Sequence, residues 1–179
     1  AAGMVGRKLT ERLLHDGRLG KHDITRMTMH DVVAPAKSDK AGFPVEVVAS
    51  DFAVSGAAKK LIAHRPDVIF HLAAIVSGEA ELDFDKGYRI NLDGTRYLLE
   101  AIRLEAASTP YKPRLVFSSS ISLFVAPFPD SIGDDFLTAP LTSTGTQKAT
   151  GQLLPNHYSG PGSVGATAVP RPRVAGHAD

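Results

Sequence analysis

The chain has 179 residues, 43% of them hydrophobic and 22% charged, enough apolar material for a real core and too much for a disordered chain. Twenty basic and nineteen acidic side chains leave a net charge of +1, so no basic excess points to nucleic acid or an anionic membrane. The absence of cysteine excludes disulfides, thiolate metal sites and cysteine nucleophiles, and fits a reducing, cytoplasmic compartment. The seven histidines show no zinc-ligand spacing, so no metal is expected. No segment is both long and apolar enough for a membrane helix, and no signal peptide is visible.

The elements are taken in chain order. Residues 1–6 are rich in Gly and Ala, and Val5, Leu9 and Leu13 then repeat at helical spacing up to Gly17, a stop signal. Residues 24–33 read as a strand ending near Asp31, and 45–49 as a short apolar strand leading to Asp51. Val54, Ala58 and Leu61 give the next helix a face over 53–64, closed by Pro66. Residues 68–74 form an apolar run interrupted by His71, expected as a parallel strand buried on both faces. Tyr88, Leu92, Thr95, Leu99 and Ile102 step by four and three along one long helix. Residues 114–117 are a further apolar strand that delivers Ser118, Ser119 and Ser120 at its end. A last helix is expected over 144–154, cut by Pro155, and the Gly- and Pro-rich stretch 155–179 reads as loose.

Short apolar strands alternating with helices predict an α/β fold, a Rossmann-type doubly wound parallel sheet. Its ligand crevice lies at the carboxyl ends of the strands. Polar residues there are the site candidates. Ala2-Gly3-Met4-Val5-Gly6 fits the second half of a GxxGxxG turn, in which glycines let the backbone approach a diphosphate and the helix start supplies N–H donors. A tight turn with no ligand is the plainer alternative. A carboxylate such as Asp31 at the end of the second strand accepts bonds from both ribose hydroxyls and repels a 2′-phosphate, favouring NAD over NADP. Asp51, with Phe52, either contacts adenine or caps the following helix.

His71-Leu72-Ala73-Ala74, Asn91-Leu92-Asp93-Gly94-Thr95, Phe117-Ser118-Ser119-Ser120 and the Thr144-x3-Lys148 segment resemble the extended short-chain dehydrogenase/reductases, the NAD-dependent epimerase/dehydratase superfamily. The run 71–101, with 127–130 and 132–135, most resembles the D-erythronate dehydrogenase branch. The resemblance covers residues 1 to about 154. It implies that the first strand of the fold and a carboxyl-terminal substrate lobe are missing here, with an incomplete NAD-binding domain over 1–154. It implies NAD as cofactor, and a small sugar acid or nucleotide sugar as partner. A homodimer through the helices 81–106 and 144–154 is the expected assembly; nucleic acid and membrane are not expected as partners.

The same resemblance assigns roles. A Ser, a Tyr and a Lys act together: the Tyr phenolate takes the proton of the substrate alcohol, the Lys lowers the Tyr pKa and binds the nicotinamide ribose, and the Ser orients the substrate oxygen. Ser120 and Lys148 occupy the Ser and Lys positions. Position 144 is Thr, far less acidic than a phenol and too short to occupy the same point. Leu72, Ala73 and Ala74 would line the nicotinamide side, with strand-end packing as the alternative. Asn91 would support the active-site backbone or a water, with a locally bonded polar residue as the alternative, and Ser118 would belong to the cofactor-binding set. His71 is expected as a core histidine, Thr142 and Ser143 as caps of the helix near 144, and Asp134-Asp135 as a solvated loop pair.

Overall fold

The computed structural model describes residues 1–36, 41–75, 77–133, 136–159 and 165–168, in two compact units, Ala1–Ala57 and Ala58–Asp179. Asp134 and Asp135 and most of the Gly/Pro-rich stretch lie outside the described residues.

In the first unit, α1 (Met4–Asp16) follows the apolar spacing and stops at Gly17, whose φ of 64° is the left-handed conformation glycine adopts freely. The insertion after it is a small antiparallel ribbon, β1 (Arg18–Leu19) against β2 (His22–Asp23). β3 (Met27–Asp31) and β4 (Val45–Ala49) then pair in parallel, Met27 opposite Val45 and Asp31 opposite Ala49. The strand expected over 24–33 is thus shorter at both ends.

The helix expected over 53–64 is only α2 (Ala57–Ile62). Asp51 Oδ1 accepts the Ala53 N–H at 2.9 Å, folding residues 51–54 into a turn, and Gly56 follows at φ 84°. Competition from this local side-chain bond delays the helix. Arg65, at φ 49°, and Pro66 end it. β5 (Val68–His71) is shorter than the expected 68–74; among its residues only His71 is fully buried.

The helix expected through Tyr88 and Ile102 is a composite. α3 (Ser77–Leu82) ends, Asp83 caps α4 (Phe84–Tyr88) by accepting the Lys86 N–H, a π-helical turn runs over Arg89–Asp93, and α5 (Gly94–Ser108) follows. β6 (Arg114–Phe117) lies where expected and pairs in parallel with β5.

α6 (Ser143–Ser159) runs through Pro155. An interior proline removes one helical hydrogen bond and costs about 3 kcal/mol. Leu154 and Tyr158, on either side of it, pack against the core, and that burial offsets the loss. Beyond it β7 (Gly165–Ala168) pairs in parallel with β6, a strand that the composition of the stretch concealed.

The core of the second unit joins Ala58 and Ile62 of α2, Leu98, Leu99, Ala101 and Ile102 of α5, and Leu115 of β6. The first unit holds the parallel ladder β3-β4 and the second the parallel ladder β5-β6-β7, each of the kind found in doubly wound folds. No described helix is long and apolar enough to cross a membrane.

Candidate active site

Two groups of polar and small residues stand at strand carboxyl ends, one in each unit. In the first unit Gly3 is the N-cap of α1, which has no side-chain cap bond and no acidic residue in its first turn. Its end therefore keeps the positive polarity of a helix start. A Cβ built on Gly3 meets nothing within 4 Å, leaving open space in front of the turn. Gly6 is different. A Cβ there would lie 2.8 Å from Ala1 Cα and O, so glycine is required for the turn to close on the helix. Met4 and Val5 are exposed.

Asp31 clamps this turn. Its Oδ2 accepts from Ala1 N at 2.7 Å and Ala2 N at 2.8 Å, and its Oδ1 from Val32 N at 2.8 Å. Ala1 and Ala2 occupy both lone pairs of Oδ2, so a further donor is left to Oδ1. Phe52 is buried, its ring edge-on to His30.

In the second unit a cleft of about 200 Å³ is lined by Ala74, Ile75, Ser118, Ser119, Ser120, Thr144 and Lys148. β6 brings the serines, and α6 brings Thr144 and Lys148, one helical turn apart on one face. Two glycines let α6 come this close. A Cβ on Gly145 would collide with the Ser122 carbonyl, and one on Gly151 would press the Phe117 ring at 3.1 Å. Each serine hydroxyl already has a protein partner. Ser118 Oγ donates to His71 O at 3.3 Å, Ser119 Oγ to Gln152 Oε1 at 2.7 Å, and Ser120 Oγ pairs with Ser122 Oγ at 2.7 Å while capping a short 3₁₀ turn (Ile121–Leu123).

Lys148 is 4% exposed. Its Nζ donates to Ser118 O at 3.0 Å and lies 4.8 Å from the Phe117 ring centre, with no carboxylate within ion-pair reach among the described residues. Burial pushes its pKa down to about 8. Thr144 is 5% exposed, and its Oγ1 has no hydrogen-bond partner among the described residues. A buried hydroxyl left unpaired costs about 1–3 kcal/mol.

Behind the cleft, Asn91 in the π turn accepts the Ile75 N–H on Oδ1 at 2.9 Å and donates Nδ2 to Ile75 O and to Gln147 Oε1. It thus fixes the backbone of one cleft wall. Sequence reasoning assigned Asn91 a supporting role but missed Gln147, fully buried with its Oε1 accepting from Asn91 Nδ2. Nothing in the spacing distinguished it from a surface glutamine. His71 Nε2 lies 2.9 Å from Thr95 Oγ1, which donates its one proton to Asn91 O. The imidazole is therefore the donor at Nε2. Burial, aided by Lys148, pushes its pKa down to about 3, so it is neutral, a core histidine as expected. Thr142 Oγ1 accepts the Gly145 N–H at 3.1 Å, and Glu81 binds both Ser143 N and Ser143 Oγ, so 142 and 143 act as the helix cap. Asp51 binds within its turn and does not cap α2 directly. Leu72 is half-buried, and Ala73 and Ala74 are exposed, beyond β5. Tyr158, ten residues past Lys148, has its hydroxyl directed to Glu100.

The model of the NAD dependent epimerase/dehydratase family matches residues 1–168. The chain belongs to this family. It is 38% identical over 178 residues to the D-erythronate dehydrogenase of Cupriavidus necator, covering 97% of this chain and 53% of that protein. It superposes with a TM-score of 0.89 and 52% identity on the crystal structure of the nucleoside-diphosphate-sugar epimerase from Agrobacterium tumefaciens, covering 97% of this chain and 54% of that one. At 23% identity and a TM-score of 0.74 it shares the fold of UDP-glucose 4-epimerase from Brucella ovis, whose structure holds NAD; 93% of this chain and 48% of that one are covered. The chain thus spans about half the length of the relatives it matches. The Rossmann-type fold and the NAD-dependent family expected from the motifs are those found.

Proposed function

We propose that the chain is the NAD-binding part of an oxidoreductase that oxidises the secondary alcohol of a small sugar acid such as D-erythronate. The observation that carries this reading is the cleft in which Ser120, position 144 and Lys148 stand together at the end of β6. Its likeness to a D-erythronate dehydrogenase supports the substrate class.

The residues present fit a dinucleotide. The open space before Gly3 and the uncapped start of α1 suit a diphosphate, with Met4 and Val5 in the turn and Gly6 closing it. Asp31 takes the adenosine ribose, Asp51 and Phe52 flank the adenine, and Leu72, Ala73 and Ala74 face the nicotinamide. Ser118 holds Lys148 through its carbonyl, and Asn91 holds Ile75. When bound, NAD supplies the hydride acceptor. Ser120 then orients the alcohol, and Lys148 supplies the positive charge beside it. Thr144 offers a hydroxyl in place of a phenolic base. Losing a positioned general base costs roughly 10²–10⁴-fold in rate. The composition and the lack of cysteine support a cytoplasmic setting.

Formation of NADH from D-erythronate is the test. Thr144→Tyr should raise the rate by about 10²–10⁴-fold, because a phenol beside Lys148 restores the base. No NADH from either form, with NAD binding intact by calorimetry, would reject the reading. Two observations favour other outcomes. The 52% identity to a protein named a nucleoside-diphosphate-sugar epimerase favours epimerisation, which turns over UDP-hexoses with no net NADH. Thr144 itself favours a catalytically silent dinucleotide binder, which a saturable NAD isotherm without turnover would identify.

A further inference from the structure

We propose that Gln147 is a positioning residue: its side-chain carbonyl sets the orientation of the Asn91 amide, and through it holds Ile75 and the cleft wall after β5 where the nicotinamide is proposed to lie. This deepens the reading above, on which it rests only for the choice of a dinucleotide as ligand.

Gln147 is fully buried, yet its Nε2 has no hydrogen-bond partner among the described residues. A methionine of nearly the same length would fill the space and strand no donor, so packing alone does not require glutamine. What the residue supplies is its Oε1, which accepts from Asn91 Nδ2 at 2.8 Å. That bond decides which way round the Asn91 amide sits. With Nδ2 turned to Gln147, Oδ1 faces the Ile75 N–H and accepts it at 2.9 Å, while Nδ2 also reaches Ile75 O at 3.3 Å. The reversed amide would set donor against donor at Ile75 N. Ile75 lines the cleft next to Ala74. Two irregularities nearby fit the same role. A Cβ on Gly87 of α4 would lie 2.8 Å from Gln147 Nε2 and 3.1 Å from Ala80 Cβ. Glycine is a poor helix former, and at position 87 it leaves the room that the amide takes. Asn91 itself stands in a π turn, and such turns inside helices occur frequently at functional sites. Because Gln147 directly precedes Lys148 on α6, the helix that carries the amine also sets the wall after β5.

The experiment is hydrogen exchange of the purified chain followed by NMR, beside calorimetry with NAD and urea denaturation. In the wild type the Asn91 side-chain amide protons should exchange slowly, a measurement that needs no variant to fold. Gln147→Met removes the acceptor and keeps the volume. It should speed exchange of the Ile75 N–H at least about tenfold and weaken NAD binding several-fold. Its urea midpoint should move little, because one donor stranded on Asn91 replaces the donors stranded on Gln147. Gln147→Glu keeps an acceptor at the same reach and should return Ile75 exchange to within about threefold of wild type. A glutamine that merely filled the core would lose Ile75 protection and urea midpoint together, with no rescue by glutamate. Rapid exchange of the Asn91 amide in the wild type, unchanged Ile75 exchange in Gln147→Met, or equal loss of protection in the Met and Glu variants would each overturn the proposal. Ile75 exchange is read without dinucleotide. Absence of NAD binding therefore overturns the oxidoreductase reading alone, and absence of the Ile75 response overturns this one alone.

Discussion

Gly3 and Gly6 are three residues apart in one turn, yet a methyl group at each meets opposite surroundings. Gly6→Ala drives a Cβ into the Ala1 backbone and should cost about 1–3 kcal/mol, read as a lower urea midpoint. Gly3→Ala should leave that midpoint nearly unchanged while weakening NAD, since its Cβ fills space where the diphosphate is proposed to sit. The expectation fails if the two variants lose stability equally. Asn91→Ala should also be costly, about 1–3 kcal/mol, because it strands the Ile75 backbone groups and Gln147 Oε1. The requirement for glycine at position 6 was legible in the sequence because close backbone approach restricts residue choice there. Gln147 was not, because a glutamine's burial depends on partners 56 positions away.

At the scale of elements, periodicity located α1, β4 and β6 closely because each obeys one local rule. It failed where a side chain or a distant partner intervened. Asp51 shortened α2, the π turn broke the long helix into parts, and core contacts carried α6 past Pro155. A π turn gives no apolar signal of its own, since Tyr88 before it and Thr95 and Leu99 after it keep helical spacing. The Asp83 cap can be tested directly. Asp83→Ala should destabilise the second unit by about 1 kcal/mol, measured by chemical denaturation, with Asp83→Asn recovering most of the loss. No recovery by asparagine would mean that charge, and not capping, is what Asp83 supplies.

For the whole molecule, two buried bases set the dependence of stability on pH. His71 falls from 6.5 unfolded to about 3 folded, so the unfolded chain binds the extra proton between these values. Its contribution is complete above pH 6.5 and is lost progressively as pH falls towards 3. Lys148 falls from 10.5 to about 8, so stability rises between pH 8 and 10.5 as the buried amine sheds its charge. Each pKa unit corresponds to about 1.4 kcal/mol, making a gain of up to about 3 kcal/mol an upper bound. Lys148→Met should therefore be more stable than wild type at neutral pH and should flatten the curve above pH 8. A wild-type urea midpoint that does not move between pH 8 and 10 would contradict the buried, unpaired amine. The family and its doubly wound ladders were legible because motifs at strand ends are short and local, whereas β7 was hidden in a stretch whose composition reads as coil.

α6 presents Thr144 and Lys148 to the cleft, Gln147 to Asn91 and Gln152 to Ser119, with its first turn tied down by Thr142 and Glu81. These side chains are spokes on a single axle. One residue inserted between 145 and 147 would rotate everything after it by about 100°, swinging the amine off target while hydroxyl 144 stays put. Residues 136–141 precede the tether, so additions there would leave the spokes aligned. Tolerance to insertion should change abruptly at the Glu81 latch.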